Sequence, residues 1–105
     1  LDAVFCTSAM MTIGALQQKK RGGLDNLRLV GVDTQSDALT AVQEGDILAM
    51  VSQNGYEIGY RTIETMVDAM NGKTVEEHTY VENRVIIQTN VKSFLSEYYK
   101  EGRET

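Results

Sequence analysis

The chain has 105 residues, enough for one small domain or for part of a larger one. Hydrophobic residues make up 42% of it, which is ordinary for a globular protein and excludes disorder as the default. Ten basic and fifteen acidic side chains give a formal net charge of −5, so nucleic-acid binding by this segment is not expected. A single cysteine and a single histidine allow neither an internal disulfide nor a Cys/His zinc site.

The sequence also bears on targeting. No apolar run approaches the length of a transmembrane helix, about 18 residues. The first residues lack the basic leader and apolar stretch of a secretory signal. Because the chain begins with Leu1 rather than Met, we expect that an upstream portion has been lost.

Short apolar runs, rich in β-branched residues, alternate with amphipathic stretches. Residues 3–6, 27–32 and 47–51 are predicted to be strands, and the first of them is expected to be buried. Residues 80–81 and 85–87 are predicted to be extended. This alternation places a helix between each pair of early strands.

The first two predicted helices have recognisable ends. Thr7 and Ser8 are possible caps of the first, and Gly22-Gly23 closes it. Asp33 and Thr34 are expected to cap the second, and Gly45 ends it. The residues expected to face inward are Met10, Ile13 and Leu16 in the first helix, and Ala38, Leu39 and Val42 in the second.

Two further helices are predicted in the second half of the chain. One should run from about residue 56 to residue 70 and stop at Asn71-Gly72. Its apolar stripe consists of Tyr56, Gly59, Ile63, Met66, Val67 and Met70. Asn90 is expected to cap the last helix, whose apolar residues are Val91, Phe94, Leu95 and Tyr98. The polar tail, residues 100–105, is expected to fray.

This order of elements predicts an α/β fold with right-handed crossovers and a parallel sheet flanked by helices on both faces. Ligands of such sheets bind at the carboxyl ends of the strands. The polar residues at those ends are Thr7 and Ser8, Asp33 and Thr34, and Gln53 and Asn54. They include no nucleophile–base pair, so we expect a binding protein rather than an enzyme, with no metal site and no cofactor.

Asp33, Gln53 and Ser8 are the candidate ligand-binding residues, and each has a structural alternative. Asp33 is either a helix cap or a carboxylate that accepts hydrogen bonds from vicinal hydroxyls. A phosphoacceptor role is disfavoured, because the neighbouring strand end has no second acid to hold magnesium. Gln53 is either a solvated turn residue or an amide that donates to and accepts from a hydroxyl. Ser8 is either an N-cap or a hydroxyl contact. Cys6 is expected to be a buried, inert thiol and His78 a surface residue.

Several segments, taken in order, resemble type I periplasmic sugar-binding proteins. Residues 3–16, AVFCTSAMMTIGAL, resemble the family pattern AVFAxNDxMAxGAL. Residues 29–34, LVGVDT, resemble VVGFDG, and residues 38–45, ALTAVQEG, resemble ALxAIxxG. Residues 47–59 resemble LxATVAQNPYExG. Two further matches, at residues 71–73 and 85–91, close a series that covers about residues 2–96.

The family consists of solute receptors of ABC importers, whose two lobes close on a sugar. The resemblance therefore implies the C-terminal portion of a sugar receptor, a partial lobe of the type I fold. By position, Asp33 would accept hydrogen bonds from adjacent sugar hydroxyls, and Gln53 would bond a further hydroxyl near the hinge. Ser8 stands where many members have Asn, and it can still bond a hydroxyl, with a shorter reach.

The resemblance also implies a domain plan. Residues 1–53 would form the βαβαβ part of a C-terminal lobe, residues 56–71 a helix that crosses the hinge, and residues 80–98 the return strands and final helix. The hinge segments would be residues 53–55 and 82–85. The apolar helix stripe is expected to fold back onto the sheet or to pack against a second copy in a homodimer.

Partners and location follow from the same resemblance. The ligand would be a small-molecule sugar, and the intact protein would meet an ABC permease at the membrane. The parent protein would be periplasmic, or extracellular and membrane-anchored. The alternative is the sugar-effector domain of a LacI-like transcriptional regulator, or a sugar sensor paired with a membrane kinase. The chain alone is expected to bind sugar weakly or not at all.

Overall fold

The computed structural model describes residues 1–100, with Tyr99 and Lys100 described by their backbone. Residues 101–105, most of the tail predicted to fray, lie outside the described residues. The elements in chain order are β1 (Ala3–Phe5), α1 (Ala9–Arg21), β2 (Arg28–Val32), α2 (Ser36–Glu44), β3 (Ala49–Ser52), α3 (Gly55–Met70), β4 (Arg84–Ile87) and α4 (Val91–Lys100). The predicted segment at residues 80–81 is not a strand, whereas the strand predicted at residues 85–87 is confirmed.

The strands form a single sheet in the order β1-β2-β3-β4. The first three strands are parallel, with Phe5 opposite Val30 and Val32 opposite Val51. β4 runs antiparallel to β3, because the chain returns from α3 at the carboxyl end of β3 and places Arg84 opposite Ser52. The α/β class with a mostly parallel sheet and flanking helices is confirmed.

The three helices that pack on the sheet, α1, α2 and α4, lie on the same face. For the described residues, the prediction that helices cover both faces of the sheet is therefore wrong. Right-handed crossovers put consecutive helices on opposite faces only where the strand order reverses, and here it does not reverse. The core therefore lies between one sheet face and α1, α2 and α4. It is formed mainly by Leu29, Met50 and Ile86 from the strands, and by Leu16, Leu39, Val42, Val91 and Phe94 from the helices.

The second face of the sheet is apolar and open. Phe5 is 62% exposed and Val85 is 58% exposed, and both point away from the helices by strand alternation. The first strand was predicted to be buried, and this exposure corrects that prediction. Cys6, which follows it, is half-buried.

α1 turns a polar residue inward, which the apolar pattern did not predict. Met10 is 76% exposed, whereas Thr12 is fully buried and its hydroxyl donates to the Ser8 carbonyl at 2.7 Å. Thr12 faces Gly31 of β2, where a Cβ would lie 1.9 Å from Thr12 Oγ1. The missing side chain of Gly31 therefore lets α1 approach the sheet closely.

The ends of the first two helices confirm three predictions and correct one. Ser8 caps α1, Gly22 ends it, and Gly45 ends α2 in the left-handed conformation with φ of 85°. The cap of α2 is Gln35, not Asp33 or Thr34. Asp33 cannot take that position because its own backbone is left-handed, with φ of 86°.

α3 has the predicted bounds, but none of its residues is buried. Ile63 is 57% exposed and Met70 is 78% exposed, so the expectation that the helix folds back onto the sheet is wrong. Packing against a second copy stays a prediction. Arg61 on this helix donates to Glu57 and Glu64, and the hydrogen bond with Glu57 contributes most to raising its pKa above the ordinary value.

α4 begins after Asn90, as predicted. The Asn90 side chain bonds back to β4, accepting from the Ile87 amide at 2.8 Å and donating to the Val85 carbonyl at 3.0 Å. These bonds turn the chain from β4 into α4 and bring α4 back along the sheet. No helix within residues 1–100 has the length and hydropathy to cross a membrane.

Candidate functional site

A cavity of about 620 Å³ lies at the carboxyl ends of β2 and β3. The chain leaves each of these strands at a polar loop, and parallel strands bring the two loops to the same edge of the sheet. The residues around the cavity include Asp33, Thr34, Gln53, Tyr56, Arg84 and Glu97. Two of the three predicted ligand-binding residues therefore line one cavity.

Asp33 and Gln53 contact each other directly in that cavity. Gln53 Nε2 donates to Asp33 Oδ1 at 2.7 Å. The Asp33 amide donates to the Val51 carbonyl at 2.8 Å, which ties the end of β2 to β3. Left-handed backbone at an aspartate is uncommon, and such strained positions cluster at binding sites. The carboxylate and the amide are therefore held in place before any ligand arrives.

Ser8 lies at the end of β1 and does not line the cavity. Its Oγ accepts from the Met11 amide at 3.2 Å, so the capping interpretation is confirmed. A hydroxyl that accepts in this way can still donate its proton to a ligand. The structure thus brings Asp33 and Gln53 together and leaves Ser8 as a neighbour on the adjacent strand.

Asn54 was predicted as a strand-end residue and as part of the segment 53–55, and its side chain links the end of β3 to the segment that precedes β4. Its backbone is left-handed, with φ and ψ both 55°. Its amide donates to Ser52 Oγ at 3.2 Å, and its Nδ2 donates to the Glu82 carbonyl at 3.4 Å. The signal available in the sequence was the residue type, since Asn tolerates the left-handed region better than other non-glycine residues.

A second wall of the cavity comes from β4 and α4, and the sequence analysis did not predict that these two elements border the site. Arg84 at the start of β4 pairs with Glu97 of α4 at 2.5 Å. Phe94 and Tyr98 line the same wall, and their rings contact each other at a tilt of 33° with centroids 5.5 Å apart. This wall depends on the antiparallel return of β4, which the pattern of apolar residues did not reveal.

The groups around the cavity are suited to hydrogen bonding. Asp33 and Gln53 offer carboxylate and amide oxygens, and the aromatic side chains of Tyr56 and Tyr98 add apolar surface. Within residues 1–100, no group of three His, Cys, Asp or Glu side chains is placed to hold a metal ion. His78 is exposed, as expected, and lies in the segment between α3 and β4.

Comparison with known proteins connects this geometry to a family. A family model described as periplasmic binding protein domain matches residues 1–74. The ribose import binding protein RbsB of Escherichia coli is 27% identical over 88 residues, which cover 84% of this chain and 30% of RbsB. The transcriptional repressor CytR of Escherichia coli is 38% identical over 76 residues, which cover 70% of this chain and 21% of CytR.

A solved structure agrees with these sequence matches. GanP, a glucose-galactose binding protein from Geobacillus stearothermophilus, superposes with a TM-score of 0.82 at 30% identity over 86% of this chain and 32% of GanP. The chain thus spans about a third or less of the length of these relatives. The family resemblance read from the motifs is confirmed, and the chain belongs to the periplasmic binding protein domain family.

Proposed function

We propose that this chain is part of a solute-binding receptor of an ABC-type importer and binds a sugar at the strand-end cavity, without covalent chemistry. The observation that carries the proposal is the Asp33–Gln53 pair, which is bonded at 2.7 Å inside the cavity. A carboxylate and an amide fixed side by side are suited to adjacent hydroxyls, since each hydroxyl can donate to one and accept from a neighbour. Relatives named for ribose import and for glucose-galactose binding support the same ligand class.

The division of the chain belongs to this proposal. Residues 1–53 form the lobe that holds the site, residues 56–71 cross to a second lobe, and residues 80–98 return to the first. The lack of any buried residue on α3 favours this division, because a helix that enters another lobe has no cover in its own. The lobes would close by rotation at residues 53–55 and 82–85. The whole protein would be periplasmic, or extracellular and anchored, and would deliver its sugar to a membrane permease.

A second candidate is supported by the match to CytR, a helix-turn-helix repressor 38% identical over 76 residues. In that case the same cavity would bind an effector for a LacI-like regulator. The two candidates share the site and differ in what the site controls. Sequence upstream of residue 1 in the parent gene distinguishes them, since a helix-turn-helix segment there indicates a repressor and a secretory or lipoprotein signal indicates a receptor.

The experiment that tests the proposal is a titration of the ¹⁵N-labelled chain with pentoses and hexoses, followed by two-dimensional NMR. Of the two expected outcomes, weak binding and none, we propose weak, millimolar binding, because this chain holds the Asp33–Gln53 pair but supplies only one lobe of the ligand's surroundings. The shifts should centre on Asp33 and Gln53 and should disappear in Asp33→Ala. Asp25→Ala, in the exposed loop before β2, is the matched control and should bind like the unmodified chain.

Two results would contradict the proposal. The absence of shifts with every sugar would remove the ligand class, and shifts that persist in Asp33→Ala would remove the site. Micromolar binding by the chain alone would contradict the division into two lobes, because it would mean that the site is complete here.

A further inference from the structure

The Asp33–Gln53 pair presents hydrogen-bond acceptors to the cavity. Gln53 directs its Nε2 toward Asp33, which turns its Oε1 away from that carboxylate. Asp33 Oδ1 is occupied by this bond, and Oδ2 remains as an ionic acceptor. A ligand that reaches this pair therefore meets acceptor oxygens, and a group that donates hydrogen bonds fits them best.

The charged residues around the cavity also favour a ligand that carries a positive charge. Among the described residues that line it, the charged ones are Asp33, Arg84 and Glu97. Arg84 pairs with Glu97 at 2.5 Å, so these two charges largely cancel and the charge of Asp33 is left without a cation of its own in this lining. The chain as a whole carries a formal charge of −5, which adds a field that attracts cations.

A hydrogen-bond donor that also carries a positive charge should bind most strongly beside the Asp33 carboxylate. A neutral hydroxyl already makes a charge-assisted hydrogen bond to a carboxylate, and an ammonium group adds the attraction between two opposite charges. Asp33 is only partly buried, so solvent reduces the gain without removing it. A phosphorylated ligand meets the opposite situation, because its charge would face Asp33 with no free cation in the described lining.

We propose that this site prefers a hydroxylated ring carrying an ammonium group, that is, an amino sugar, over the corresponding neutral sugar, and disfavours sugar phosphates. The proposal rests on the proposed function, since it takes the Asp33–Gln53 cavity to be a sugar site and adds the charge of its ligand.

The test compares matched ligands on the chain by NMR titration. The ligands are glucosamine, glucose, N-acetylglucosamine and glucose 6-phosphate, with the galactose series as a second stereochemistry. We expect glucosamine to bind about fivefold more tightly than glucose, which is the upper end of what an ion pair contributes at a partly exposed site. N-acetylation should remove the preference because it neutralises the amine, and the phosphate should bind least. The preference should shrink in concentrated salt.

Two variants test whether the preference for glucosamine is caused by the charge of Asp33 or by the overall negative charge of the chain. Asp33→Asn keeps the shape and removes the charge, so glucosamine and glucose should then bind equally. Asp25→Asn makes the same change of charge in the loop at the other end of β2, and it should keep the full preference. Ethanolamine serves as an amine without a ring, and equal shifts with it would overturn the proposal.

The outcomes distinguish this inference from the function on which it rests. If no sugar and no amino sugar produces shifts at Asp33 and Gln53, the proposed function fails and the inference fails with it. If neutral sugars bind as well as amino sugars or better, the inference is overturned and sugar binding stands. If the preference survives in Asp33→Asn, the inference is likewise overturned, because the charge that matters then lies elsewhere.

Discussion

The close approach of α1 to β2 makes Gly31 the position where the smallest added side chain should do the most damage. A Cβ at this residue would lie 1.9 Å from Thr12 Oγ1, 2.9 Å from Thr12 Cβ and 3.0 Å from Met50 Sδ. Thr12 cannot rotate away freely, because it is fully buried and its hydroxyl donates to the Ser8 carbonyl at 2.7 Å. The helix must therefore move away from the sheet and loosen the core behind it.

The cost of this movement can be bounded. Overpacking of a well-packed core costs about 1–3 kcal/mol, and a contact this short on a β-branched partner belongs at the upper end. Replacing glycine also removes freedom from the unfolded chain and returns about 0.4–1 kcal/mol. We expect Gly31→Ala to lower the free energy of unfolding by about 2 kcal/mol.

Urea unfolding followed by circular dichroism measures this change as a lower midpoint at an unchanged slope. Gly14→Ala on the exposed side of α1 is the control, because its added Cβ meets nothing within 4 Å. That variant should stabilise the chain by about 0.5–1 kcal/mol through helix propensity. Thr12→Ala should recover part of the loss in Gly31→Ala. A Gly31→Ala chain as stable as the unmodified one, or a double variant without recovery, would refute the reasoning.

Three further predictions concern other parts of the chain. In the monomeric chain, Leu39→Ala should lower the free energy of unfolding by about 2–5 kcal/mol, whereas Ile63→Ala should change it by less than about 0.5 kcal/mol, because Leu39 is 1% exposed and Ile63 is 57% exposed. Asp33→Ala should be less stable than Asp33→Gly by about 1 kcal/mol in the same urea assay, because φ at this residue is 86°. Asn54→Asp should speed amide hydrogen exchange around Glu82 while leaving the urea midpoint in place, because it removes a 3.4 Å bond between exposed groups.

The features that the sequence predicted well are those with local causes. Gly45 ends α2 because glycine reaches φ of 85° without strain, and this holds wherever the helix packs. α3 keeps its predicted bounds because an amphipathic repeat and the Asn71-Gly72 stop are both encoded within it. The site residues Asp33 and Gln53 were predicted from the ends of apolar runs, and the parallel pairing of β2 and β3 brought them together.

The features that it missed depend on contacts between distant segments. The Arg84–Glu97 pair requires β4 to run antiparallel and α4 to return along it, and neither direction is written in the apolar spacing. Helices on both faces were expected from the alternation of elements, but the side on which a helix packs depends on the strand order. Thr12 was missed because its burial is caused by Gly31, which lies on another element.

The distinction between local and distant contacts also applies to ligand binding. Local contacts determine which ligand groups the site prefers, whereas surfaces from elsewhere determine the affinity. The bonds that hold Asp33 run to Gln53 and Val51, at the end of the neighbouring strand, so the charge and direction of these acceptors are set by residues 31–54. Enclosure of a ligand needs surfaces on its other sides, and this chain spans about a third or less of the length of its relatives. Selectivity between an amine and a hydroxyl should therefore already be measurable in this chain at millimolar concentrations. Affinity should rise in a longer protein without a change in the order of ligands, because enclosure strengthens every contact, whereas the preference for charge originates at Asp33.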